Sequence, residues 1–284
     1  MEIRRMKMFC PDLGWDISID PGKCRCIVGA NGSGKTLLLS MTHALTELAV
    51  TMKPYAMLEL LREESLDSFD CRRVEWHGFF KRASVEFDDG SLASIENINS
   101  SNGEFVCEYR GSSLPLKDEP IPKDYESPIT FLRSDRECYS GQVLGELLHK
   151  VGGSIPKDKV EKLCTGILDI NAAPKYFSPM PKEEDFKGKN AWYSSLDKWL
   201  DSFSHGEREI MRLIMAMEGA KQNTGILFID NMEMGYHIAS QEVLANLLPR
   251  LIEKYEIQLI YTTHAPYLLL DKELCTGMDE FERS

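Results

Sequence analysis

Gly29-Ala30-Asn31-Gly32-Ser33-Gly34-Lys35-Thr36 fits the pattern GxxxxGK[ST] of a phosphate-binding loop, and its reading decides the fold class. A turn of this kind aims successive backbone N–H groups into a concave anion site at a helix N-terminus. Glycine is needed wherever a Cβ would block a φ > 0 conformation or the approach of a phosphate. Lys35 is placed to reach the β- and γ-phosphates, and the Thr36 hydroxyl to bind Mg²⁺. The flanks agree, with a strand over 23–28 running into the loop and a helix over 37–45 leaving it. These residues predict a nucleotide-binding α/β protein whose cofactors are ATP and Mg²⁺.

A chain of 284 residues with 43 % hydrophobic content can bury a sizeable core, as one large domain or one domain with a lobe. Its net charge of −12 argues against a surface that binds nucleic acid throughout, while leaving room for a local basic groove. There is no apolar run of about 18 residues, and Met1-Glu2-Ile3-Arg4-Arg5 leads into a polar strand instead of a signal peptide. The cysteines are scattered without a CxxC pair. Cys24 and Cys26, on the strand entering the loop, read as buried packing. A reduced, cytoplasmic protein with no membrane partner is expected.

Along the chain, 2–9 and 15–19 read as short strands around Pro11-Asp12-Leu13-Gly14, and 51–72 as a charged helix. Residues 74–80, 83–87 and 104–109 read as strands of a small antiparallel lobe. Turn chemistry separates them at 88–91 and 97–103, and 111–127 reads as a connector. A middle strand over 129–133 ends at Ser134-Asp135-Arg136. A helical segment over 142–202, broken at Gly152-Gly153 and at 179–184, follows. Helix 206–220, strand 225–230, helix 238–254 and strand 258–263 complete the order. The last two strands are continuous apolar runs, as parallel strands covered on both faces should be. The expectation is a single domain over 1–284 with a mostly parallel central sheet. Its parts are a core over 1–50, an antiparallel β-rich lobe over 51–127, a middle strand with a helical lobe over 128–202, and a closing unit over 203–284.

Ile226-Leu227-Phe228-Ile229-Asp230 is an apolar strand ending in an acid, the Walker B pattern. Asp230 at the strand's carboxyl end would help fix the Mg²⁺. His264, in Thr262-Thr263-His264, would stand beside the γ-phosphate and hydrogen-bond the phosphate and the attacking water. In Ser202-Phe203-Ser204-His205-Gly206-Glu207-Arg208-Glu209, Ser204 followed by Gly206 makes a phosphate-facing site at a helix N-terminus. Ser204 reads equally as a plain N-cap whose capping box Glu207 completes, and the two readings are compatible.

Together these stretches resemble an ATP-binding-cassette ATPase, in the soluble branch that holds SMC and RecF heads and the OLD-like defence ATPases. The phosphate loop matches Walker A in its GxNGSGKT form. Phe203-Ser204-His205-Gly206-Glu207 is similar to the LSGGQ signature in an S-x-G-E variant. Asp230-Asn231-Met232-Glu233-Met234-Gly235-Tyr236-His237 resembles D-E-P-E-x-G-L-H, and Thr262-Thr263-His264-Ala265-Pro266-Tyr267 resembles the T-T-H-S-P-Y switch region. The resemblance implies a homodimer or higher oligomer, or pairing with a related chain, with each ATP held between two heads. The signature residues Ser204, His205, Gly206 and Glu207 then serve in trans, with Ser204 and Gly206 against the γ-phosphate.

The departures are specific. The family's glutamate after the Walker B aspartate is Asn231 here, which can orient water and cannot take its proton. Glu233 matches the second acid and is the candidate base. Ser134-Asp135-Arg136 stands where a glutamine is usual, with Gln142 further on. Asp135 and Arg136 read equally as nucleotide contacts and as a surface ion pair. Residues 134–202 are too few for a long coiled coil, and there is no zinc-hook CxxC or added nuclease module. The resemblance therefore implies an ATPase head that controls a separate effector protein or holds nucleic acid, in DNA maintenance or anti-phage defence. The alternatives are a non-hydrolysing ATP sensor and, disfavoured by the signature variant and the β-rich lobe, a transporter subunit. Lys182, Lys187 and Lys189 read as a solvated charged loop before they read as nucleic-acid contacts, and Met232 and Met234 as core.

Overall fold

The computed structural model describes residues 1–11, 15–29, 33–61, 81–99, 104–116, 120–122, 125, 127–132, 181–201 and 205–268. The first half holds β1 (Ile3–Cys10), β2 (Trp15–Ile19), β3 (Cys24–Ile27), α1 (Lys35–Thr51), α2 (Tyr55–Leu61), β4 (Arg82–Phe87), β5 (Leu92–Asn99), β6 (Glu104–Tyr109), β7 (Ser112–Pro115) and β8 (Thr130–Leu132). Then follow α3 (Lys189–Leu200), α4 (His205–Gln222), β9 (Ile226–Ile229), α5 (Ile238–Tyr255) and β10 (Gln258–Thr262).

The strands form two sheets. One is antiparallel, in the order β2-β1-β4-β5-β6-β7, and the other is parallel, in the order β3-β10-β9-β8. In the parallel sheet β3, β9 and β10 are buried at every position, Arg25 of β3 included, as expected of strands covered by helices on both faces. In β1 the buried residues are Ile3, Met6, Met8 and Cys10. The step of three from Ile3 to Met6 coincides with a register shift against β4, a bulge that restores the alternation.

Helix α1 lies between the sheets, against β4 and β5 on one side and β10 on the other. This explains why Leu38, Leu39, Met41, Ala44, Leu45 and Leu48 are all buried: a helix with partners on both sides has little need of a polar face. Its buried hydroxyls are satisfied locally, Thr42 donating to Leu38 O and Thr46 to Thr42 O, each at 2.7 Å. Gln258, at the start of β10, ties the sheets together. Its amide accepts from Ile3 N–H and donates to Ile3 O, both at 2.8 Å, and donates to Gly22 O at 2.5 Å. A leucine there would orphan the Ile3 backbone pair, at about 1–3 kcal/mol for each buried group.

The structure differs from the sequence reading at four places. Asn97, expected in a turn, lies in β5, where Ala93, Ile95 and Asn97 form the buried face. The register shift between Asn97 and Asn99 leaves Ile98 exposed. Ser112–Pro115, expected in a connector, pairs with β6 as β7. The antiparallel sheet is not confined to the middle of the chain, because β1 and β2 belong to it. Helix α1 also continues to Thr51, where Met52 at φ 57° turns the chain towards α2. The expected strand over 74–80, residues 12–14, the segment 133–180 with Asp135, Arg136, Gln142 and Gly152-Gly153, and the stretches 62–72 and 269–284 lie outside the described residues. Cys24 and Cys26 are buried, and among the described residues no helix is long and apolar enough to cross a membrane.

Candidate nucleotide-binding site

The site forms where β3, β9 and β10 end and α1 begins. Gly34 caps α1 at φ 88°, the left-handed region that glycine enters without strain, and a Cβ built on it would lie 1.8 Å from Trp15 Cη2. Trp15 therefore covers this side of the loop from β2, a contact that no local pattern in the sequence signals. Ser33 Oγ is buried with no hydrogen-bond partner among the described residues, the state expected of a loop shaped for a polar ligand. Lys35 is buried, and its ammonium donates to Gly29 O at 2.9 Å. Burial pushes the Lys35 pKa below the usual lysine value, against the pull of Asp230 and Glu233. Ala30, Asn31 and Gly32 lie outside the described residues.

The sequence-predicted Walker residues meet in space. Thr36 Oγ1 stands 3.0 Å from Asp230 Oδ1 and 3.2 Å from Oδ2, across a separation of 194 residues. A hydroxyl and a carboxylate at the end of a parallel sheet are hard oxygen donors of the kind Mg²⁺ takes, so the residues present fit that cation. Asp230 is buried at 5 % exposure and is held by Thr262, whose hydroxyl donates to Oδ1 at 2.6 Å. The chain then turns through Asn231 at φ 49°, a conformation asparagine tolerates better than glutamate does. The departure at this position thus has a backbone reason.

Glu233 sits between the Walker B turn and the switch loop. Its Oε2 accepts the Thr263 hydroxyl at 2.6 Å, and its Oε1 the His264 N–H at 3.0 Å. Thr263 N–H reaches Ile27 O at 3.3 Å, so the switch loop is also tied to the strand that feeds the phosphate loop. The His264 residue itself is exposed. Thr262 and Thr263 were not singled out from sequence; the signal was two hydroxyls in a row at the end of an apolar strand.

Of the signature residues, His205, Gly206 and Glu207 form the first turn of α4, while Ser204 lies outside the described residues. One turn further on, Glu209 and Arg212 form a buried ion pair at 3.1 Å. Both line a cleft with Leu132, Asp230, Asn231 and Met234. Met232 is core, and Met234 is half-buried in the cleft wall. Lys182 lies 3.6 Å from Glu184 on an exposed turn, which fits the solvated loop expected there.

Residues 146–269 match the AAA ATPase domain family. No curated relative matches the sequence. Solved structures similar to the chain include the SMC head domain from Thermotoga maritima, at 12 % identity, covering 97 % of this chain and 92 % of that one, with a TM-score of 0.48. An Smc head bound to the C-winged helix domain of ScpA is 14 % identical over 95 % and 91 %, with a TM-score of 0.47. The ATP-binding cassette MJ1267 of an ABC transporter, in its ADP conformation, is 13 % identical over 93 % and 82 %, with a TM-score of 0.39. The α/β fold and the meeting of Thr36 with Asp230 give the arrangement of a P-loop nucleotide site, and the segment that matches the AAA ATPase domain family contains its Asp230 strand.

Proposed function

We propose that the chain is a head that binds Mg–ATP on residues 29–36, hydrolyses it slowly, and pairs with a second head across the nucleotide. The observation that carries this reading is the approach of Thr36 Oγ1 to the Asp230 carboxylate, which puts two cation-binding oxygens beside the buried Lys35. Mg²⁺, when bound, would neutralise phosphate charge between these oxygens. Lys35 would hold the β- and γ-phosphates, and Glu233 would accept a proton from water. Each carboxylate oxygen carries two lone pairs, so Glu233 keeps acceptor capacity beside the Thr263 and His264 contacts. Ser204 and Gly206 would complete the partner's site, and the dimer would report its nucleotide state to a separate effector protein or nucleic acid, in DNA maintenance or defence.

A second reading, an ATP sensor without turnover, is favoured by Asn231 at the usual base position and by the two hydrogen bonds that already occupy Glu233. ATP turnover of the wild type beside Glu233→Gln, with Lys35→Ala as the binding-deficient control, separates the readings. Turnover that vanishes in Glu233→Gln supports the hydrolytic head. Tight binding without turnover supports the sensor, and absence of ATP binding sinks both.

A further inference from the structure

Residue 262 grips three consecutive residues of the Walker B turn. Its hydroxyl donates to Asp230 Oδ1 at 2.6 Å and accepts the Asn231 N–H at 2.8 Å, while its carbonyl accepts the Met232 N–H at 2.9 Å. We infer that Thr262 is a positioning residue for the cation site: its hydroxyl fixes the rotation of the Asp230 carboxylate so that it stays turned to Thr36. The inference rests on the nucleotide reading above.

The placement follows from strand register. Parallel pairing of β9 and β10 sets Tyr261 opposite Ile229, so Thr262 falls alongside Asp230 at the carboxyl ends of both strands. Thr262 is fully buried and Asp230 nearly so. In such surroundings a carboxylate depends on the donors it is given. The Thr262 hydroxyl has one proton to give, and the Asn231 N–H on its lone-pair side commits that proton to Asp230. The positive φ of Asn231 turns the chain that follows, where the Met232 N–H meets the Thr262 carbonyl. Thr36 also touches Asp230, yet in the nucleotide reading its hydroxyl serves the cation. The contact from Thr262, on a different strand, would remain.

Thr263 divides the labour. Neighbouring strand-end residues send their hydroxyls to different acids, Thr262 to Asp230 and Thr263 to Glu233. The inference therefore separates metal placement from switch-loop placement by a single position.

The test is calorimetric binding of the non-hydrolysable analogue AMPPNP in Mg²⁺ and in EDTA, which gives a metal-dependent affinity ratio. Thr262→Val keeps the side-chain shape and removes the hydroxyl. Its ratio should fall about tenfold, the size set by one hydrogen bond to a charged group, with EDTA binding near wild type and apo melting lowered because Asp230 and the Asn231 N–H each lose a partner. Thr262→Ser should restore the ratio to within about twofold, since it restores the donor. A merely structural role would shift EDTA binding along with apo melting and leave the ratio unmoved. A wild-type ratio in Thr262→Val, or no recovery in Thr262→Ser, overturns the inference. If the valine variant does not fold, Thr262→Ala gives the same reading. A wild type without Mg²⁺-dependent binding would instead sink the nucleotide reading, and this inference with it.

Discussion

The Thr263 hydroxyl donates to Glu233 Oε2 at 2.6 Å while the next backbone N–H, that of His264, donates to Oε1. One carboxylate thus holds the loop on which His264 stands. A glutamine in its place has a single acceptor oxygen for two donors, so Glu233→Gln disturbs the loop as well as the proposed base. It should lower ATP turnover by roughly 10²–10⁴, the range for loss of a general base. Thr263→Val, which leaves the carboxylate, should cost only about tenfold, as one hydrogen bond would. Steady-state phosphate release measures both, and equal losses would make Glu233 a loop anchor without a base role.

Lys35 sets a pH dependence. Burial lowers its pKa below 10.5, so between that lowered value and 10.5 the folded chain binds fewer protons than the unfolded one. This contribution to stability therefore rises with pH across that window. Bound polyphosphate favours the charged ammonium, so ATP binding should take up a proton there, and affinity should fall as pH rises. Calorimetry in buffers of differing ionisation heat checks the proton uptake. Lys35→Met should abolish it.

Asn231 is predicted to serve first through its backbone. At φ 49° alanine or glutamate carries a left-handed penalty of about 1–2 kcal/mol, whereas glycine carries little. Denaturant unfolding should therefore rank Asn231→Gly near wild type, with Asn231→Ala and Asn231→Glu clearly below. Equal stability of glycine and alanine variants would show that the turn does not need this conformation.

Gly34→Ala should be damaging for two reasons, the φ of 88° and the collision with the Trp15 ring. Trp15→Ala relieves the second and leaves the first. The double variant should recover part of the lost stability, with the conformational cost of about 1–2 kcal/mol remaining. Melting curves of the two single variants and the double read this directly; full recovery would mean that the left-handed backbone carries no cost.

Much of the site was legible in the chain. Residues 29–36 announce themselves because few sequences let a backbone wrap an anion. Asp230 stands out because an acid ends an otherwise apolar strand, and Thr262-Thr263-His264 falls at the end of the next. The order of strands and helices around them follows from apolar runs and from helical spacing. β5 was missed because Ile95 is the one large apolar residue on its buried face, between Ala93 and Asn97, and the strand itself carries the turn-forming asparagines 97 and 99. β7 was missed because four residues with a terminal proline carry little strand signal.

The sequence by itself determined which residues are chemically equipped: the glycines that permit the loop, the lysine, the hydroxyl and the acids. Tertiary structure decided what those groups do to one another. Only the parallel register of β9 and β10 assigns Thr262 to Asp230 and Thr263 to Glu233, and only the fold brings Trp15 over Gly34 and Gln258 to Ile3. Local patterns record the preference of each segment for helix, strand or turn. A hydrogen bond across 255 residues depends on how separate segments pack, and no local pattern carries that.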